Sequence, residues 1–274
     1  MKHDDTIKQI TENAIANLKA ALEAGDSASL TAYLAAMARF HRYSFGNVML
    51  IFAQKPDATR VAGFHTWKKL GRSVRKGEKG LLIIAPMTIR KKADDETTDG
   101  EDKVFVRYRG VHVFDISQTD GEPLPEFERA TGNPGDAADR LRAFASSRAI
   151  AVETAAHLGG ADGVSTGGKI ILRMGLSPAE ECSVLAHELA HELLHHGEDR
   201  PACKTVRELE AEGVAFIVGQ AIGLVNQSAS ADYIRLYKGD AEQLVASLDR
   251  IQKTAATLIA SLSSTGAIAT EVSG

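Results

Sequence analysis

The segment His187-Glu188-Leu189-Ala190-His191 constrains this chain more than any other feature. It lies in a stretch built to be a helix. Ser177 can cap, Pro178 suits the first helical position, and Glu180 stands three residues after the cap. Val184, Leu185, Leu189, Leu193 and Leu194 make the surroundings of the motif apolar. On a helix, His187 and His191 project from one face, with about 6 Å of rise between them. Two neutral imidazoles so placed can hold one Zn²⁺ at about 2.0–2.1 Å each. Glu188 then reaches a water in the open metal position rather than the metal. It is the candidate catalytic residue, taking a proton from that water and passing it to a leaving amine. The residues thus predict a zinc metallopeptidase site acting on a protein or peptide.

A third ligand is expected in Arg207-Glu208-Leu209-Glu210-Ala211-Glu212. Glu208 and Glu212 share a helical face, whereas Glu210 points about 200° from Glu208. A metal-bound histidine usually donates its other N–H to an oxygen, so a ligand and a supporting carboxylate on one face are wanted. Glu208 is assigned as ligand and Glu212 as the carboxylate behind the metal. Glu210 is then a solvent-facing charge, or the ligand if the face is misassigned; Glu212 as ligand also stays open. His195 is expected to mark the helix end, where histidine suits the dipole. Tyr233 is the candidate oxyanion stabiliser, with Tyr237 beside it in sequence, and Lys169–Leu172 the candidate sheet edge for an extended substrate.

The motif His187–His191, followed by Glu208-Leu209-Glu210-Ala211-Glu212-Gly213-Val214-Ala215-Phe216, resembles the zincin fold of ImmA/IrrE-type metallopeptidases. It is also similar to the metallopeptidase domain of ArdC-type anti-restriction proteins. In such glutamate zincins the pattern Glu-x-x-Ala-(Asp/Glu/Asn) supplies the ligand from its first glutamate. The resemblance places that ligand on Glu208, with Ala211 and Glu212 completing the pattern.

The N-terminal half carries a second set of motifs. Residues 60–79 hold Arg60, Lys68, Lys69, Arg72, Arg75, Lys76 and Lys79 against one acid, Glu78. In a chain of net charge −4, such a cluster points to a local anionic partner. His41, Tyr43, Ser44 and Asn47, then Phe64, Trp67, Gly71, Lys76, Lys79 and Gly80, closely resemble the N-terminal domain of ArdC-type proteins. That domain also occurs in plasmid primases and is associated with single-stranded DNA binding. The match extends to Val113–Thr119 and Leu124-Pro125. Single strands are held by cations together with aromatic faces for stacking. The expected DNA contacts are Tyr43, Asn47, Phe64, Trp67, Lys68, Lys69, Arg72, Arg75, Lys76 and Lys79. Aromatics make up only 5% of the chain, and burial is their default.

Together these readings give an α+β chain of two domains. Residues 1–130 form an α+β DNA-binding domain. Residues 131–265 form a mainly helical zincin-like domain with a small sheet, and 266–274 a flexible tail. Helices are expected over about 6–24, 27–42, 44–55, 136–148, 178–196, 205–223 and 239–263, and strands near 80–85, 104–106, 111–114, 150–152 and 169–172. The acidic tract 94–102 reads as a solvated loop, and the breakers of 116–136 mark a linker. No apolar run reaches the roughly 18–20 residues of a membrane span. The opening Met1-Lys2-His3-Asp4-Asp5 lacks a signal-peptide core, so a cytoplasmic location is expected. Two cysteines, Cys182 and Cys203, fit a reducing compartment. Two readings compete with a DNA-coupled metallopeptidase. One is a non-catalytic DNA-binding inhibitor with structural zinc; the other is an ImmA-like protease that cuts a repressor. Glu188 opposes the former, because structural zinc has no use for a general base.

Overall fold

The structure is a computed structural model that describes residues 2–24, 27–91, 103–121, 134–198, 200–224 and 241–263. It divides into two compact units. One takes the described residues of Met1–Ala14 and Met49–Leu124, the other those of Ile15–Val48 and Pro125–Ala267. The chain crosses from one to the other inside α1 (Lys2–Glu23) and α3 (Phe45–Gln54).

The first unit is built on the sheet β1-β4-β3, all antiparallel, from Val61–Gly63, Lys103–Asp115 and Leu81–Lys91. The two strands expected near 104–106 and 111–114 are one. Arg107, Tyr108, Arg109 and Gly110 continue the register from Leu81↔Val113 to Lys91↔Lys103, because ladder hydrogen bonds need only backbone. Ile7, Leu50 and Leu82 form an apolar cluster, with Ile10 and Ile84 packed on it. Gln54 joins α3 to β3: its amide accepts from the Leu82 N–H at 2.9 Å and donates to the Leu82 carbonyl at 2.9 Å.

A short helix, α4 (Phe64–Lys69), and a two-stranded ribbon of β2 (Arg72–Val74) and β5 (Thr119–Gly121) complete this unit. The expected linker from 116 therefore begins too early. Asp115 and Gln118 form a capping box that turns the chain out of β4 and into the ribbon. The buried Asp115 carboxylate accepts from the backbone N–H groups of Thr59, Arg60 and Ser117 at 2.8, 3.1 and 2.9 Å. These bonds outweigh burial, which alone would raise its pKa, and hold it below the usual value.

The second unit is mainly helical. It contains α2 (Ser27–Arg39), α5 (Ala137–Ser147), α6 (Pro178–Leu194), α7 (Lys204–Ala221) and α8 (Ala241–Leu262). In α8 the buried Leu244, Leu248, Ile251, Ala255, Leu258 and Ile259 follow helical spacing. The buried Leu30, Leu34 and Met37 of α2 do the same, and this helix packs on α7 and α8. A small sheet runs β6-β8-β7, from Ala151–Ala155, Lys169–Arg173 and Gly163–Ser165. Lys169–Leu172 is therefore no edge: β8 is the central strand, parallel to β6 and antiparallel to β7. The edge beside α6 is β7, too short at three residues to show alternation. The acidic tract, Tyr233, Tyr237 and the tail 266–274 lie outside the described residues.

Candidate metal centre

Helix α6 is capped as its sequence predicts. The Ser177 N–H donates to Glu180 Oε2 at 2.7 Å, and the Glu180 N–H to Ser177 Oγ at 3.4 Å. The His187 and His191 rings lie 4.8 Å apart, edge to face. Their Nε2 atoms are 3.1 Å apart, and Glu208 Oε2 on α7 stands 3.7 Å from His187 Nε2 and 3.4 Å from His191 Nε2. A tetrahedral ion with bonds of about 2.05 Å spaces its ligand atoms about 3.3 Å apart. The three donors thus fit one divalent cation, and they form such a group among the described residues. Burial lowers the pKa of His187, and burial with the neighbouring His187 pushes His191 down to about 4. Both rings are neutral near pH 7, as ligands must be.

Glu188 is buried against β7. A Cβ on Gly163 would stand 2.8 Å from its Cγ and 2.8 Å from its Oε1, so only glycine lets the strand come this close. Burial, then the charges of Glu208 and Glu192, push its pKa up to about 7, against a hydrogen bond from the Ser165 N–H. Strand β7 is held there by Glu192, four residues beyond Glu188 on α6. Its carboxylate accepts from Ser165 Oγ at 2.7 Å and from the N–H groups of Gly167 and Gly168 at 3.0 and 2.7 Å. Gly163, Ser165 and Glu192 were not legible beforehand, because a three-residue strand leaves no periodic trace.

The expectation for Glu210 and Glu212 needs correction. Glu212 is exposed, whereas Glu210 is fully buried. The 200° that separates Glu210 from Glu208 turns it inward, between α6 and α8, and not to solvent. Its Oε2 receives His195 Nε2 at 3.0 Å, and His195 Nδ1 meets His191 Nδ1 at 2.9 Å. Its Oε1 accepts from Ser247 Oγ at 2.7 Å and from Arg250. Burial opposes ionisation of Glu210, but these three partners hold its pKa below the usual value. His195 does end α6, and is buried as well.

The residues expected to meet DNA have different surroundings. Trp67 is only 2% exposed, and its indole N–H donates to the Phe114 carbonyl at 2.8 Å. It is a core residue, so its placement as a stacking face is corrected. Asn47 is buried and Tyr43 half-buried against Phe40, both in the second unit. Arg72 is spent on Thr119 and the Gly121 carbonyl, and Arg75 on Glu78 and Asp120. Phe64, 51% exposed, and the exposed Lys68, Lys69, Lys76 and Lys79 remain accessible in the first unit.

An HExxH helix, a glutamate from the following long helix and a small sheet beside them define a metallopeptidase-like domain, here joined to a second α+β unit. Residues 4–114 match the N-terminal domain of anti-restriction factor ArdC, and residues 149–223 the IrrE N-terminal-like domain. The chain thus matches an ArdC-type N-terminal domain followed by an IrrE N-terminal-like domain. It is 29% identical to the uncharacterised Bacillus anthracis protein pXO2-81, over 81% of this chain and 46% of that protein, and so spans about half the length of this curated relative. The metal-free crystal structure of the antirestriction ArdC protein from the R388 plasmid shares the fold at a TM-score of 0.53. It is 22% identical, with 96% of this chain and 100% of that chain covered. A Mn(II)-bound structure of the same ArdC protein aligns at a TM-score of 0.48 and 20% identity, covering 85% of this chain and 99% of that one.

Proposed function

We propose that this chain is a zinc-dependent peptidase of the glutamate-zincin type whose N-terminal unit binds single-stranded DNA, acting in anti-restriction. One observation carries the catalytic half: a cation-sized triangle of His187, His191 and Glu208 beside a buried carboxylate that ligates nothing. Bound zinc would supply Lewis-acid polarisation of a peptide carbonyl and a water of lowered pKa. Glu188, with its raised pKa, takes a proton from the attacking water and delivers it to the departing amine. The edge strand β7 offers backbone groups to an extended peptide alongside Glu188. The exposed Lys68 and Lys69, on the same short helix as Phe64, suit phosphates beside a stacked base.

The test is made on the full chain. Wild type should take up zinc stoichiometrically and His187→Ala should not. Glu188→Gln should keep the zinc and lose hydrolysis of an unfolded protein substrate by at least about a hundredfold. Retained hydrolysis in Glu188→Gln ends the peptidase reading. Anisotropy of a labelled single-stranded oligonucleotide tests the other half: affinity should fall steeply with salt, and salt-independent binding contradicts phosphate contacts.

A further inference from the structure

We infer that His195 and Glu210 form a relay that fixes His191 as the tautomer able to bind a cation, making both positioning residues of the metal centre. The inference rests on the metal-site reading above and adds to it residues that touch neither cation nor substrate.

Glu210 is fully buried, and its Oε1 is engaged by Arg250 and Ser247 of α8. Both of these partners are donors, so the carboxylate serves this cluster as a hydrogen-bond acceptor. His195 Nε2, 3.0 Å from Glu210 Oε2, must therefore carry a proton. A neutral imidazole has one N–H, so His195 Nδ1 presents a lone pair. His191 Nδ1 lies 2.9 Å from that lone pair and must supply the hydrogen. With its proton on Nδ1, His191 leaves Nε2 bare, facing Glu208 Oε2 at 3.4 Å and His187 Nε2 at 3.1 Å. The reverse bond, from His195 Nδ1 to His191 Nδ1, would leave the His191 proton on Nε2, where no cation could then be held. One hydrogen-bond pattern alone agrees with a loaded site.

Three helices make the relay. α6 supplies both histidines one turn apart, α7 supplies Glu210 two residues after the ligand Glu208, and α8 supplies the clamp. Ligating histidines commonly lean directly on a carboxylate or carbonyl. Here a second imidazole spans the gap and reaches a carboxylate on another helix.

Zinc affinity is measured by competition with a chromophoric chelator on the full chain. His195→Phe keeps a ring but accepts nothing, and should weaken zinc binding by about tenfold to a hundredfold. His195→Gln, whose amide oxygen can accept from His191 Nδ1–H, should recover part of that loss. A purely structural role would give no such rescue. Imidazole nitrogen NMR of the metal-free wild type should place the His191 proton on Nδ1, and in His195→Phe spread it over both nitrogens. Affinity of His195→Phe within twofold of wild type overturns the relay. So does a His191 proton on Nε2 in the wild type, a readout that needs no variant to fold. A wild type that takes up no zinc defeats the peptidase reading instead, and the tautomer in the metal-free protein then still decides the relay.

Discussion

Phe64 and Trp67 sit three residues apart on one short helix and have opposite fates. Trp67→Ala removes a buried ring and its hydrogen bond to the Phe114 carbonyl, so the first unit should lose about 3–5 kcal/mol in urea unfolding. Phe64→Ala should leave the urea midpoint in place and weaken oligonucleotide binding by about 1–3 kcal/mol. Equal stability losses in the two variants would contradict this division. Asp115 makes a prediction about pH. Its folded pKa lies below the unfolded value, so its contribution is present above about pH 4 and fades as pH falls through the folded pKa. Asp115→Asn should cost about 2 kcal/mol at pH 7 and progressively less as pH falls below about 4. The difference in urea midpoint between variant and wild type should close on acidification, and a constant difference would show that the charge contributes nothing. At the site, Gly163→Ala puts a methyl within 2.8 Å of Glu188 and 2.6 Å of a Val184 methyl. Peptide hydrolysis should fall at least about tenfold while zinc content holds, because strand and base must part.

At the scale of elements, the sequence was most readable where a period ran long. The helices carrying His187, Glu208 and Leu248 lie within a few residues of their expected bounds, because burial on one face leaves a 3.6-residue signature. The candidate donors were legible in part for the same reason: four-residue spacing puts His187 and His191 on one face, whereas the choice among Glu208, Glu210 and Glu212 leaned on the family resemblance as well. What stayed hidden depends on partners far away in the chain. Glu210 looks like any surface glutamate until α8 brings Arg250 against it, forty residues later. Strand β7 and the β2–β5 ribbon are three residues per strand, too short for alternation to register, and β5 lies within the stretch 116–136 that reads as a linker. The ribbon has a weak point that can be tested. Gly121 adopts a φ of 140°, and a Cβ there would lie 2.4 Å from the Gly71 carbonyl oxygen. Gly121→Ala should destabilise the first unit by about 2 kcal/mol or more, measured as a lowered urea midpoint. An unchanged midpoint would mean the ribbon contributes nothing to that unit.

For the whole molecule, one consequence lies in how the units are cut from the chain. Helix α2, within the stretch that matches the ArdC N-terminal domain, packs on α7 and α8 in the unit that holds the metal site. A fragment of residues 131–274 would lack it and bare the surfaces that cover Leu30, Leu34 and Met37. Such a fragment should melt well below the full chain or aggregate; equal melting would show α2 to be dispensable. On a ribosome the same arrangement sets an order of events. About 180 residues separate the end of α2 from the end of α7, which at 5–20 residues per second is on the order of ten to forty seconds of synthesis. Throughout that interval the apolar stripe of α2 is outside the tunnel with its final partners not yet made, so a nascent chain of this protein must be kept from aggregating while it waits.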